Sequence, residues 1–282
     1  METTVAIADI TFSIHYPDVF SPVFINYFKQ FSDKKQTSST AKFFIELPDN
    51  CVVSSLPDHQ MELHCRSVTP DTFIYECSLF KLITSLENCE GHLVFASGKT
   101  VDYSIVYNAF KWFFIFMVIA QKGVPLHSSL ISHNHSGFLF SGPSGRGKST
   151  IAQLITSYLP DFLCESDEVN IIYLRNCKPV VYTTPYYSSN HSGSNADRST
   201  LSNVFFLEQA LFHKVKYVSR ESAMKHLLYN IYHIPGNREL SECLMDTIAQ
   251  LSVLPMFNLF LFKNDPSVAT FFKQYLKGVT WV

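Results

Sequence analysis

The sequence predicts a mixed α/β (α+β) fold, with a β-rich N-terminal lobe at residues 1–100 and an α/β core at residues 101–282. Three observations lead to this prediction. Short aromatic and β-branched runs, separated by Pro, Asp, Asn and Ser, fill the first hundred residues. A glycine-rich loop lies between a strand-like and a helix-like segment at 138–158. Strand and helix patterns then alternate to the C-terminus.

The composition indicates a well-packed protein and excludes several partner classes. Hydrophobic residues make up 46% of the 282 residues and charged residues 16%, which is ample core material. The formal net charge of −2 does not indicate the positively charged surface that binding to nucleic acid or to an anionic membrane requires, so we expect neither as a partner. Seven cysteines without CxxC spacing argue against a disulfide framework or a zinc site. With no basic, apolar leader at the start, we expect a cytoplasmic protein with reduced thiols.

Within the N-terminal lobe, the runs TVAIADITFSIHY, KFFIELP, TFIYECSLF and GHLVFAS predict strands. The polar tract at 32–41 predicts a surface loop. An apolar run at 105–123 follows, interrupted by Asn108 and Lys111. It is shorter than the roughly 20 apolar residues of a membrane span, so we predict a buried helix.

The core begins with a predicted hairpin, in which an apolar strand at 124–131 is followed by the turn SHNHSG and the strand FLF. We interpret His133 and His135 at its tip as solvated turn positions rather than metal ligands. The segment FLCESDEVNIIYL predicts a strand, an acidic pair and a second strand. The polar segment at 186–202 is long for a connection and predicts either a lid or disorder.

The C-terminal third predicts a helix, a late strand and a final helix. The first helix has Ser219 as its cap, with Ala223, Leu227 and Ile231 on one face. The segment LSVLPMFNLFLFKND predicts the strand, and PSVATFFKQYLKG the last helix.

Residues 142–149, which we call the glycine loop, fit the G-x-x-x-x-G-K-[ST] phosphate-binding pattern. A chance match is expected on the order of once in a hundred chains of this length. Glycine allows the backbone to turn so that successive N–H groups face a phosphate, and the helix that follows adds its positive end. We therefore predict nucleotide binding by Gly142, Pro143, Ser144, Gly145, Arg146, Gly147, Lys148, Ser149 and Thr150.

The same pattern predicts ATP as the nucleotide and Mg²⁺ as the cofactor. Lys148 supplies a point charge for the β and γ phosphates, and the Ser149 hydroxyl is suited to bind Mg²⁺. Asp167 and Glu168 follow an apolar strand. One of these acids could hold the metal and the other could accept a proton from an incoming hydroxyl. The alternative is an acidic turn on the surface.

The run LHSSLI…GFLFSGPSGRGKSTIAQLI…LCESDEVNII resembles the HPr kinase/phosphorylase family, and more specifically its shorter relatives in peptide-modification gene clusters, including lasso peptide precursor kinases. The resemblance is specific over residues 124–175, weaker towards the C-terminus and almost absent from residues 1–100. It implies a phosphoenolpyruvate-carboxykinase-like P-loop core with a mixed sheet. The predicted hairpin agrees, because other P-loop sheets more often have a βαβ crossover there.

The resemblance implies that Asp167 is the base, that His127 beside it tunes its charge, and that Glu168 and Ser149, with Asp167, bind Mg²⁺. From the sequence alone, His127 is better interpreted as a buried core residue. The glycine-rich second signature of the family has no counterpart here, which argues against phosphorylase activity and against HPr as the substrate. Arg198 and Arg146 are the candidates for a charge-neutralising arginine.

These observations predict a kinase that transfers the γ-phosphoryl group of ATP to a serine or threonine of a protein or peptide. The alternatives are a catalytically silent nucleotide-binding regulatory or scaffold module, and a transferase acting on a small molecule. Because HPr kinases are oligomeric, the resemblance also makes a homo-oligomer a candidate assembly.

Overall fold

The computed structural model describes residues 1–32, 39–48, 52–53, 64–186, 198–232 and 236–278. These residues form a mixed α/β structure with two large sheets and six α-helices. The chain divides into unit 1, Met1–Lys122 with His233–Leu244, and unit 2, Gly123–Tyr232 with Met245–Val282. This division differs from the expected boundary at residue 100, because the apolar helix at Tyr103–Ala120 belongs to unit 1.

Unit 1 is built on a seven-stranded sheet in the order β1-β2-β3-β8-β7-β6-β5. The strands confirm the β-rich prediction, whereas helix α1 was not predicted. The apolar positions of α1, Val23, Phe24, Phe28 and Phe31, are buried at helical spacing. The elements are β1 (Glu2–Ile7), β2 (Ile10–His15), α1 (Ser21–Ser32), β3 (Ser39–Glu46), β4 (Val52–Val53), β5 (His64–Ser67), β6 (Thr72–Glu76), β7 (Phe80–Ser85), β8 (Glu90–Phe95), β9 (Thr100–Val101) and α2 (Tyr103–Ala120).

Helix α2 confirms the predicted buried helix. Its length and composition would allow it to cross a membrane, but 61% of it is buried. Phe110 and Phe113 pack edge-on or stacked against Phe12 and Phe43 of the sheet, with ring centroids 5.2–6.0 Å apart. The Asp102 side chain caps the helix by accepting from Ser104 N at 2.6 Å. The apolar run is therefore the core helix of unit 1.

Unit 2 contains an eight-stranded sheet in the order β11-β10-β13-β14-β15-β17-β16, with β12 also paired to β10. Strand β11 additionally pairs with β15, so β11, β10, β13, β14 and β15 form a closed ring of strands. The elements are β10 (Val124–His133), β11 (Ser136–Ser141), α3 (Lys148–Tyr158), β12 (Leu163–Ser166), β13 (Val169–Arg175), β14 (Lys178–Tyr182), β15 (Arg198–Gln209), β16 (Lys214–Tyr217), α4 (Arg220–Asn230), β17 (Phe257–Phe262) and α6 (Ser267–Gly278). Helix α5 (Arg238–Leu251) belongs to unit 1 up to Leu244 and to unit 2 from Met245.

Helices α3 and α6 pack on the parallel strands β11, β15 and β17 of unit 2. Apolar positions of α3 at helical spacing meet aromatic side chains of the strands and of α6. This core fixes the end of β11 against the start of α3. Its buried members include Phe138, Phe140, Ile151, Ala152, Ile155, Phe205, Phe260, Phe262, Val268 and Phe272.

Several predicted elements of the core are confirmed. The hairpin is β10–β11, the strand–acid–strand segment is β12–β13, and the two C-terminal helices are α4 and α6. Ser219 caps α4 as predicted, but Ile231 lies at the C-cap and not on the buried helical face. Helix α5 and strand β16 were not predicted. Of the two predicted polar segments, 33–38 and 187–197 lie outside the described residues. The loop prediction is wrong for 39–41, which begin β3, and for 198–202, which begin β15.

Candidate functional site

Strand β10 is the element around which the candidate site is built. On one side Ser128 pairs with Ser141, the residue just before the glycine loop. On the other side Leu130 pairs with Ser166 of β12, and His127 pairs with Val169 of β13. Neighbouring strands lie about 4.8 Å apart, so the loop and the acidic pair flank the same stretch of β10 at a separation of about 10 Å.

The glycine loop has the backbone conformation that its pattern predicts. Gly145 and Gly147 have φ values of +77° and +91°, in the left-handed region that favours glycine. Gly147 precedes α3, and the first intrahelical bond runs from Ile151 N to Gly147 O at 2.9 Å. The N–H groups of 148–150 lie ahead of that bond, at the positive end of the helix. The loop therefore presents backbone donors suited to an anion.

Lys148 lies beneath the loop and is 7% exposed. Its ammonium donates to the carbonyl oxygens of Gly142 at 2.9 Å and Pro143 at 3.2 Å. Burial lowers the pKa of this amine. An ammonium has three N–H donors, so one remains available for a phosphate oxygen.

The other predicted loop residues form its outer surface. Pro143, Ser144 and Arg146 are exposed, and Arg146 N donates to Pro143 O at 3.2 Å to close a tight turn. In the first turn of α3, Ser149 is half-buried and Thr150 is exposed. All nine residues predicted to bind nucleotide thus belong to one continuous structural feature.

The acidic pair lies in the short connection between β12 and β13. The Asp167 side chain is 9% exposed and Glu168 is half-buried. Ser128 N on β10 donates to Glu168 O at 3.3 Å. This contact anchors the backbone of the acidic turn to the central strand.

A buried polar network, which sequence reasoning missed, holds the ends of the acidic turn. Ser166 Oγ donates to Asn170 Oδ1 across the turn, and Asn170 Nδ2 donates to Ser128 O at 2.7 Å and Ser128 Oγ at 3.0 Å. All three side chains are fully buried. The sequence does contain a signal for this network, because an asparagine inside the apolar run VNIIYL requires buried partners.

His127 and Tyr232 lie beside the acidic turn. His127 is half-buried on β10, with its ring 6.0 Å from that of Tyr232. The Tyr232 hydroxyl is hydrogen-bonded to the Glu168 carboxylate. Nothing in the sequence indicates this contact, because Tyr232 reaches β10 through an isolated bridge between Leu126 and Ile231.

The side chains present fit a magnesium–nucleotide ligand. Asp167, Glu168 and Ser149 supply only oxygen atoms, which Mg²⁺ prefers, and this ion is usually held by one or two carboxylates together with phosphate oxygens. Within the described ranges, no three His, Cys, Asp or Glu side chains are placed to hold a metal by themselves. Burial, together with the negative charges of Asp167 and Glu165, raises the pKa of the neighbouring Cys164 thiol to about 11.

Arg198 lies at the opposite end of β15 from the glycine loop, and through Tyr182 on β14 it lies two strands away from Ile171 of β13, which follows the acidic turn. Arg198 begins β15, opposite Tyr182. The residue of β15 that pairs with Ser141 is Phe206, eight residues further along the chain, which corresponds to about 26 Å of strand. Arg146 is within the glycine loop and is exposed.

The histidines at the hairpin tip lie away from the glycine loop. His135 is exposed, whereas His133 is half-buried and its ring stacks on Phe162 at 4.5 Å. A cavity of about 740 Å³ opens beside them, between the hairpin tip and the C-terminal ends of α3 and α6. This cavity is separate from the candidate site.

Replacing Gly147 by alanine is expected to destabilise the protein by about 1–3 kcal/mol, because a residue with a side chain is strained at this φ. In addition, the new Cβ would lie 2.9 Å from Cζ of Phe262, which is fully buried and has little room to move. Gly98→Ala is the matched control, since Gly98 has φ +70° with no atom within 4 Å of the added Cβ. Urea unfolding should show the larger loss for Gly147→Ala, and equal losses would contradict the predicted clash.

Comparisons with known proteins return matches among solved structures alone. No protein-family model and no curated protein matches the chain. Among solved structures, the HPr(Ser) kinase/phosphatase from Coxiella burnetii is similar at 9% sequence identity and a TM-score of 0.31, covering 55% of this chain and 94% of that chain.

Proposed function

We propose that unit 2 is an HPr-kinase-like core with a phosphoenolpyruvate-carboxykinase-like P-loop fold. In this proposal it transfers the γ-phosphoryl group of ATP to a serine or threonine hydroxyl of a protein or peptide. The observation that carries the proposal is the pairing of β10 with its neighbours. The glycine loop follows β11 on one side of β10, and the acidic turn joins β12 to β13 on the other side, at the same stretch of β10. Phosphoryl transfer depends mainly on positioning and charge stabilisation, and these two features supply both.

In this proposal the triphosphate of ATP lies on the N–H groups of the glycine loop. The Lys148 ammonium donates its remaining N–H to the β and γ phosphates. Ser149 and Glu168, with Asp167 nearby, would hold Mg²⁺, which when bound neutralises charge on the phosphate oxygens. The buried network of Ser128, Ser166 and Asn170 keeps the acidic turn rigid.

Asp167 serves as the base for the acceptor hydroxyl. Its carboxylate takes the hydroxyl proton as the acceptor oxygen bonds to the γ phosphorus, and the bond from that phosphorus to the bridging oxygen breaks to release ADP. His127, on the neighbouring strand, tunes the charge of Asp167. The proposed setting is cytoplasmic, with a protein or peptide acceptor and a homo-oligomeric assembly.

A nucleotide-binding module that transfers no phosphate is the second candidate. It is favoured by the sequence, which has no counterpart of the glycine-rich second signature of the HPr kinase/phosphorylase family. The kinase is favoured by the adjacent acids Asp167 and Glu168, since nucleotide binding needs a ligand for the metal whereas transfer also needs a base.

The test is transfer of labelled γ-phosphate from ATP with Mg²⁺ to the proteins and peptides encoded beside this gene. Label on a serine or threonine of one acceptor, absent without Mg²⁺, is the expected result. If ATP raises the melting temperature but no acceptor gains label, the kinase proposal fails in favour of the binding module.

A further inference from the structure

Tyr232 is attached to the start of β10 by its backbone. Tyr232 N donates to Pro125 O at 2.9 Å, and the preceding residue, Ile231, forms an antiparallel bridge with Leu126. Upstream, Ile231 N donates to Leu227 O at 3.0 Å, at the end of α4. The tyrosine therefore has a fixed backbone position next to His127, although it belongs to no strand or helix.

The side chain of Tyr232 extends this attachment to the acidic turn. Its ring lies 6.0 Å from the His127 ring at an interplanar angle of 58°. Its hydroxyl is hydrogen-bonded to the Glu168 carboxylate. Glu168 is thus held twice, at its backbone oxygen by Ser128 N and at its side chain by Tyr232.

We propose that Tyr232 is a positioning residue that fixes the Glu168 carboxylate for the magnesium–nucleotide complex. This inference rests on the proposed function of the site. A carboxylate has about four acceptor positions, so a bond from one tyrosine hydroxyl leaves oxygen lone pairs for a metal. A carboxylate that is already oriented loses less side-chain freedom when the metal binds.

Tyr232 is suited to act as the donor of this bond. A tyrosine hydroxyl ordinarily titrates at about pH 10, so it carries its proton at physiological pH. Hydrogen-bond partners of this kind typically change metal affinity by about 10- to 100-fold when they are removed.

The test measures ATP binding to the full chain by calorimetry as a function of Mg²⁺ concentration. Tyr232→Phe removes only the hydroxyl and keeps the buried ring, so the fold should be retained. We expect the Mg²⁺ concentration for half-maximal enhancement of ATP binding to rise about tenfold or more, with metal-free ATP binding unchanged. Tyr229→Phe is the matched control, because Tyr229 lies nearby on α4 and is 74% exposed.

A double-mutant cycle with Glu168→Gln separates positioning from a general structural role. If Tyr232 acts through Glu168, Tyr232→Phe should have no further effect on Mg²⁺ dependence in the Glu168→Gln protein. The inference would be overturned if ATP binding by the Tyr232→Phe protein depended on Mg²⁺ as in the wild type. It would also be overturned if Tyr232→Phe changed the Mg²⁺ dependence equally in the wild-type and the Glu168→Gln proteins.

Failure of the kinase proposal is distinguishable from failure of this inference. If the wild type transfers no label but its Mg²⁺-dependent ATP binding is weakened by Tyr232→Phe, the kinase proposal falls and the role of Tyr232 stands. If ATP binding by the wild type is independent of Mg²⁺, the positioning role is overturned.

Discussion

Replacing Asp167 by asparagine is expected to lower the rate of phosphoryl transfer by about 10²–10⁴-fold, the usual contribution of a general base. The amide has nearly the same shape as the carboxylate but cannot accept the proton of the acceptor hydroxyl. The fold should be retained, because the hydrogen bonds of Ser128, Ser166 and Asn170 do not involve the Asp167 carboxylate. Steady-state transfer from labelled ATP measures the rate, and calorimetry measures ATP affinity, which we expect to change little.

Asp161→Asn is the matched control, since Asp161 is an exposed acid of the same unit, close to the C-terminal end of α3. It should transfer phosphate at the wild-type rate. Transfer by Asp167→Asn at a similar rate would show that Asp167 is not the base. A greatly increased Mg²⁺ requirement in that variant, with transfer restored at saturating metal, would assign Asp167 to the metal instead.

Replacing Lys148 by methionine is expected to weaken ATP binding by about 10- to 100-fold, because a hydrogen bond to a charged group typically contributes about 1.5–3 kcal/mol. Methionine keeps an unbranched side chain in a position that is almost fully buried. The carbonyl groups of Gly142, which is buried, and Pro143, which is exposed, would lose their donor, so we also expect a loss of stability of about 1–3 kcal/mol. Calorimetry with ATP and Mg²⁺ measures the loss, and thermal unfolding without ATP reports whether the fold is kept.

Lys214→Met is the control for general charge effects, since Lys214 is an exposed lysine on β16 of the same unit. ATP affinity should be unchanged in this variant. If Lys148→Met binds ATP as tightly as the wild type, the ammonium does not contact the phosphates and the proposed binding mode is wrong.

Local features of the site were predictable from the sequence. The spacing of Gly145 and Gly147 predicts a loop with positive φ angles ahead of a helix, and the structure has both. Asp167 and Glu168 between two apolar runs predict an acidic turn between strands, as observed. These features depend on neighbouring residues alone, because steric limits on φ and the periodicity of apolar positions act over a few residues.

By itself, then, the sequence determined a mixed α/β chain with a glycine loop, an acidic turn, and the hairpin between β10 and β11. Only the tertiary structure decided that β10 lies between the glycine loop and the acidic turn, that Tyr232 contacts Glu168, and that Arg198 lies at the opposite end of β15 from the glycine loop. It also decided that α2 belongs to unit 1. The physical reason is that strand register and side-chain contacts between distant segments arise from burial shared by the whole unit, and no local pattern encodes which segments will meet.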